Sequence, residues 1–305
     1  MDALSAVLAH VRLRGQVFFR QCFGRQWGME IPEGQGAAFH ILESGEAWIE
    51  QAEDQPPVHL RAGDCVILPH MSSHRVVSGP GVSCLPGEEV LRRSGMGESV
   101  FPVDGGEPDV DIVCGAFQFE QMSSHPLWRQ LPAMILLTRE ERAVEPWLDH
   151  TTRLLCHEAL NEAPGSMAVS SRMTELLFIQ VLRLLAQRSE TKGFLMALRD
   201  RRLSRALNAF HGDPARAWTL ELMAESAGMS RSAFARHFSE IMSTTPGDYV
   251  SHWRMQLAAQ RLRDSGESLD AIAEAVGYRS PAAFSRQFLR TFGERPGQWR
   301  KRQGS

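Results

Sequence analysis

Between about residues 15 and 120 the apolar positions come in short runs, among them Ala37 to Leu42, Ala47 to Glu50 and Cys65 to Leu68, broken by Gly45, Gly63, Pro69 and Gly79. Runs of that length between turn residues predict strands, and several short strands in succession predict a barrel or sandwich. Residues 86–109, rich in Gly, Glu, Asp and Pro, read as an exposed loop. From about residue 123 the spacing turns helical. Met173, Leu176, Leu177, Val181, Leu184 and Leu185 fall on one stripe of a helix of about five turns. That stripe packs either inside its own subunit or along a dimer seam. Residues 188–194 read as a short polar connector.

The C-terminal hundred residues repeat with a period of about 50. Leu220 to Gly228 and Leu269 to Gly277 span equal lengths, Phe234 and Phe238 match Phe284 and Phe288, and Pro246-Gly247 matches Pro296-Gly297. Each repeat reads as a helix, a tight turn and a second helix. Thr219 and Ser268 are N-caps, Gly228 and Gly277 suit a left-handed turn, and Ser230 and Ser280-Pro281 begin the second helices. Phe234, Phe238 and Ile241, and in the second repeat Phe284, Phe288 and Phe292, predict the buried faces. Arg231, Ser232, Ala235 and Arg236 then face away, as do Ala282, Ser285 and Arg286. Small residues beside an arginine suit a major groove, because the helix approaches closely while the guanidinium reaches guanine. One such arginine also fits a solvated surface or a phosphate contact; the matched placing of Arg236 and Arg286 adds weight to base reading. Asp248 to Arg263 predicts a single joining helix of about 25 Å, with Arg254, Arg261 and Arg263 as candidates for DNA phosphates.

A chain of 305 residues has room for two domains, and 43% hydrophobic with 23% charged residues fits a globular protein better than a disordered or membrane-spanning one. No basic segment followed by an apolar core opens the chain, where Arg12, Arg14 and Arg20 interrupt the apolar stretches. Five cysteines without a CxxC pair do not suggest a disulfide scaffold, so the expected compartment is a reducing cytoplasm, with no membrane contact. The net charge of -3 hides an asymmetry: residues 200–305 carry 16 basic against 11 acidic residues, and the remainder 17 against 25. A basic end joined to an acidic end fits a nucleic-acid module fused to something else.

Taken together, Trp218-Thr219-Leu220, Ala227-Gly228-Met229-Ser230, Pro246, Trp253-Arg254, Val276-Gly277-Tyr278, Phe284-Ser285-Arg286 and Phe292-Gly293 through Pro296 resemble the DNA-binding domain of the AraC/XylS family of bacterial regulators. The resemblance covers roughly residues 200–302. By position it places the family's base-contacting sites on Ser232, Ala235 and Arg236, and on Pro281, Ala282, Ser285 and Arg286. More loosely, Trp27, His40-Ile41-Leu42 with Gly45, Gly63-Asp64 through Pro69, His74, Cys114-Gly115 and His125-Pro126-Leu127 resemble the cupin-type sensor domain of one branch of that family.

Gly63, Pro69 and His74 keep the spacing of the second cupin motif, with Met71 in place of its usual glycine and Ser78 in place of asparagine. The first motif's histidine pair is missing and Ala38 stands where its glutamate belongs. A catalytic metal site needs three or four ligands, which disfavours an enzyme. His40 and His74 are either hydrogen-bonded interior histidines or ligands for an effector or a bound metal; no cofactor is required. Cys22 and Cys114 are either a redox or metal switch or inert packing. The expected architecture is α+β: a cupin-like β-barrel over 1–122, a helical linker over 123–195 and an all-α double helix-turn-helix domain over 196–305. The expected function is a sequence-specific transcription factor, an activator, binding double-stranded promoter DNA and RNA polymerase as a homodimer under an unknown effector. The competing readings are a cupin enzyme tethered to DNA and a non-specific architectural protein.

Overall fold

The computed structural model describes residues 2–303 apart from 25, 52–54, 97, 99, 102–108, 120–124, 160–162 and 189–191. In chain order, α1 (Ala3–Val11) precedes the strands β1 (Leu13–Phe23), β2 (Gly28–Ile31), β3 (Ala37–Ser44), β4 (Glu46–Glu50), β5 (Val58–Arg61), β6 (Cys65–Leu68), β7 (His74–Val77) and β8 (Leu85–Pro86). Then come α2 (Gly87–Gly95), β9 (Val110–Phe119), α3 (Pro126–Arg129), β10 (Ile135–Leu137), α4 (Arg139–Ala143), α5 (Pro146–Glu158) and α6 (Ser166–Gln187). The remainder is helical: α7 (Gly193–Arg199), α8 (Arg201–Gly212), α9 (Leu220–Ala227), α10 (Arg231–Met242), α11 (Pro246–Asp264), α12 (Leu269–Ala275), α13 (Pro281–Phe292) and α14 (Pro296–Gln303).

The chain forms two compact units, a sheet unit of Arg12–Met122 with Leu131–Leu184, and a helical unit of Met1–Val11, Ser123–Gln130 and Leu185–Ser305. The boundary expected between 122 and 123 falls outside the described residues.

In the sheet unit two five-stranded sheets, ordered β1-β9-β3-β6-β10 and β5-β4-β7-β2-β8, form a sandwich. The expected closed barrel is corrected to this form, since no strand among the described residues belongs to both hydrogen-bonded ladders. Side chains alternate across each strand. Ala38, Leu42, Val66, Leu68, Ile112 and Cys114 of the first sheet therefore share one core with Met29, Ala47, Ile49, Leu60 and Val76 of the second. Phe39, Ile41, Val113 and Phe117 lie on the other face of the first sheet and are buried too, which is why β3 reads as a continuous apolar run. Part of that cover is α6, whose Phe178 ring lies 4.6 Å from Phe117 and 5.4 Å from Phe119. On α6 Leu177, Phe178, Val181 and Leu182 are buried within this one chain, while Leu176 stays 46% exposed. The buried part of the stripe thus packs inside its own subunit, turned slightly from the face expected. Part of the loop expected over 86–109 is instead β8 and α2. At Met71 the backbone takes φ +46°, the left-handed region that the usual glycine of this motif would occupy without strain.

The helical unit contains two segments that local sequence signals did not assign to it. On α1 the amide of Ala3 donates to Asn208 Oδ1 at 2.8 Å, and His10 Nδ1 meets Gln260 Oε1 at 2.7 Å. At the head of α3 the Leu127 amide donates to His125 Nδ1 at 3.1 Å, so the ring proton sits on Nε2 and is donated to Tyr249 Oη at 3.2 Å. The Tyr249 hydroxyl then donates to His211 Nε2 at 2.7 Å. Burial keeps both rings neutral, holding His125 well below the ordinary histidine range and His211 down at about 3.

Because Phe178 is fully buried against two other rings, its replacement by Ala is expected to destabilise the sheet unit by about 3–5 kcal/mol. Denaturant unfolding of the variant beside the unsubstituted chain measures this, and a loss below about 1 kcal/mol would contradict the packing described.

Candidate functional site

Both helix-turn-helix repeats form as their capping residues dictate. Thr219 Oγ1 accepts from the Leu222 amide at 3.3 Å and Ser268 Oγ from Ala271 at 3.1 Å, starting α9 and α12. Gly228 at φ +66° and Gly277 at φ +86° make the turns, where a Cβ would strain the backbone. Ser230 and Ser280 then accept from Ala233 and Ala283, each at 3.4 Å, and start α10 and α13. Phe234, Phe238, Phe284 and Phe288 are fully buried, and Phe292 is half-buried.

The opposite faces of α10 and α13 carry the residues expected there. Arg231, Ser232, Arg236, Pro281, Ala282 and Arg286 are exposed, and Ala235 and Ser285 half-buried. Arg231 pairs with Glu221 at 3.0 Å, whereas the Arg236 side chain is 77% exposed with Glu240 4.0 Å away. Arg286 has no ion-pair partner among the described residues, and it borders a groove of ≈ 550 Å³ with Arg295 and Lys301.

Of the three phosphate candidates on α11, Arg254 is already engaged. Its Nε donates to Pro214 O at 2.9 Å, Nη2 to Arg216 O at 2.6 Å and Nη1 to Gly277 O at 3.3 Å, with Cζ 5.8 Å from the centre of the Tyr278 ring. With three of its five N–H donors serving backbone carbonyls, Arg254 is first a tie within the fold rather than the phosphate contact expected. Arg261 pairs with Glu267 at 3.0 Å, and Arg263 lies 3.9 Å from Asp264.

Inside the sandwich, β3 and β9 set His40 directly beside Cys114, and β7 supplies His74 from the facing sheet. His40 Nδ1 lies 3.1 Å from Cys114 Sγ, His40 Nε2 lies 2.9 Å from His74 Nε2, and His74 Nδ1 lies 2.7 Å from Ser72 O. A carbonyl only accepts, so His74 carries its proton on Nδ1 and its Nε2 must accept from His40. His40 Nδ1 in turn accepts from the Cys114 thiol, and the chain runs in one direction from thiol to carbonyl. Burial, helped by the neighbouring His74, holds His40 well below the ordinary histidine range; burial also lowers His74, against the pull of the Ser72 carbonyl. Burial pushes the Cys114 thiol far up, so it stays protonated.

These partners flank the His40 ring on opposite sides and do not converge on one point. Among the described residues no three His, Cys, Asp or Glu side chains group as metal ligands, so the arrangement does not fit the bound metal considered for His40 and His74. Nor does it join the two cysteines. Cys22 sits opposite Asp111 in the ladder, three positions from Cys114 and hence on the other face of the sheet, where its thiol is exposed and pushed up by partial burial and by Asp111. The sequence offers Cys114 as a redox or metal switch or as inert packing; the pairing of β3 with β9 places it at the end of a histidine chain.

Because both rings of this chain titrate lower in the folded protein than in the unfolded one, the unfolded state takes up protons first as pH falls through about 6.5. The stability that these two neutral rings contribute is therefore complete above that pH and is lost progressively below it. Urea unfolding between about pH 7 and 5 should give a shallower pH slope for His74→Gln than for the unsubstituted chain; equal slopes would refute a neutral His74.

No helix among the described residues is long and apolar enough to cross a membrane. Residues 2–187 match a family described as cupin, and residues 223–302 match one described as a helix-turn-helix domain. An uncharacterised HTH-type transcriptional regulator of Haemophilus influenzae is 31% identical over 306 residues, covering 99% of each chain. The RCS-specific HTH-type transcriptional activator RclR of Escherichia coli strain K12 is 30% identical over 308 residues, covering 99% of this chain and 98% of that one. A protein of Streptomyces lividans named as an AraC-like transcription regulator is 28% identical over 310 residues, again covering 99% and 98%. Two matched helix-turn-helix repeats behind a cupin-type sandwich, together with these full-length likenesses, show that the chain belongs to the AraC family of DNA-binding transcriptional regulators.

Proposed function

We propose that this regulator reads a two-part promoter sequence with Arg236 and Arg286 and acts as a homodimeric activator that contacts RNA polymerase. The observation that carries base reading is the equivalent placing of these two guanidinium groups on α10 and α13. Both are exposed and surrounded by Ser232, Ala235, Ala282 and Ser285, which are short enough to let each helix enter a major groove. Arg295 borders the same groove as Arg286 and is placed for a phosphate, which positions the protein without reading sequence. Activation is proposed from the likeness to a relative named as an activator.

The sensor reading rests on the Cys114–His40–His74 chain. A directed chain of hydrogen bonds inside an apolar core is stable only while every member is satisfied, so a polar ligand or an oxidant that claims one member rearranges the rest. Cys22 is a separate, exposed site for an oxidant on the other face of the same sheet. An enzymatic reading gains no support from the likenesses, which are to transcriptional regulators.

Binding of the purified chain to a pool of random duplexes, followed by affinity measurements on the selected sequence, tests the proposal. Arg236→Ala and Arg286→Ala are each expected to cost about 1–3 kcal/mol on that sequence and to relax base preference in one half of it only. An architectural protein would instead bind all duplexes alike with a steep salt dependence, and that outcome would sink base reading.

A further inference from the structure

Arg254 stands midway along α11, the helix that joins the two helix-turn-helix repeats, and its three acceptors belong to both of them. Pro214 and Arg216 lie in the segment between α8 and α9 that leads into the first repeat, whereas Gly277 is the turn of the second. That lead-in segment has a fixed shape of its own: Trp218 Nε1 donates to Asp213 O at 2.7 Å, and the Arg216 guanidinium lies 5.1 Å from the Trp218 ring centre. The second repeat comes so close that a Cβ on Gly277 would lie 2.5 Å from Ala215 O and 2.8 Å from Arg254 Nη2. From there the contact continues to the recognition helix, since the Tyr278 ring near Arg254 lies 5.9 Å from that of Phe284 on α13.

On the other side of α11, Tyr249 Oη meets His125 Nε2 at 3.2 Å and His211 Nε2 at 2.7 Å, which are ties to the head of α3 and to α8. Asp248, Tyr249, His252 and Trp253 point there, about half a turn from Arg254 at 3.6 residues per turn. They line a cavity of ≈ 580 Å³ that separates Ser243 and Thr244, beyond the end of α10, from Gln287, Arg290 and Thr291 of α13. With that cavity, lined also by His125, Arg129 and Gln130, between the end of α10 and α13 on one side, the three-carbonyl clasp on the other bonds the lead-in of the first repeat to the turn of the second.

We propose that Arg254 is a positioning residue that fixes the distance and angle between the two recognition helices, and thereby the half-site spacing the protein accepts on DNA. This rests on the reading that both repeats contact bases. Two recognition elements in successive major-groove turns must be about 34 Å apart on one face of the duplex, so a small rotation of one repeat spoils the register of the other. Arginine suits the task because its planar fork serves three carbonyls at once, which a lysine cannot do with the same geometry.

The test uses the full chain and its selected two-part sequence, with one or two base pairs inserted between the halves. The unsubstituted protein should lose roughly tenfold or more in affinity on the two-base-pair insertion, and Arg254→Met no more than about threefold, while base preferences within each half stay as they were. Arg254→Lys and Gly277→Ala, which disturb the clasp from its two ends, should show the same tolerance and supply the result if Arg254→Met does not fold. If every variant that folds keeps the full spacing penalty, the positioning role is overturned and base reading stands. If the unsubstituted protein selects a sequence read in one half only, both fall.

Discussion

A guanidinium that gives hydrogen bonds to the carbonyls of Pro214, Arg216 and Gly277 ties together two helix-turn-helix repeats that α11 joins in sequence. Carbonyls outside regular structure need donors when they are partly covered, and few side chains can meet three that approach from different directions. The same bonds hold three of its five N–H donors inside the fold while the charge itself remains, since carbonyls are neutral. Arg231 and Arg261 are offset instead by Glu221 and Glu267.

How far the chain could be read in advance follows from the range of the interactions involved. The helix-turn-helix repeats were legible because their signals are local: a cap, a glycine at the turn and phenylalanines four apart lie within one or two turns of each other. Phe234, Phe238, Phe284 and Phe288 are buried as that spacing requires. The sandwich was legible in strands such as β3 and β6 but not in closure, because whether two sheets join depends on edges that no short segment encodes. Cys114 could be noticed as a strand cysteine, yet its meeting with His40 needs the pairing of β9 with β3 across seventy-four residues. Arg254 was misread for a related reason. Spacing places a cation on a helix face but is silent about which backbone it meets.

Two buried polar chains, one in each unit, are built by the same rule with opposite polarity. In the sheet unit a carbonyl, Ser72 O, fixes the proton of His74 and through it every bond back to Cys114. In the helical unit an amide, Leu127 N–H, fixes the tautomer of His125 and through it the bonds to Tyr249 and His211. In each case a backbone group at one end decides the orientation of side chains farther along, and burial keeps the rings neutral so that the pattern holds. Such chains favour one arrangement of their elements over near alternatives, which a purely apolar core of the same size would do less sharply.

The helix α1 is built into the helical unit, where the Ala3 amide finds Asn208 and His10 finds Gln260. It therefore belongs to the half that carries the recognition helices. A change to α1 is thus a change to that half rather than to the sensor, and a clone trimmed to begin near residue 200 discards a helix that its remaining surface was shaped to receive.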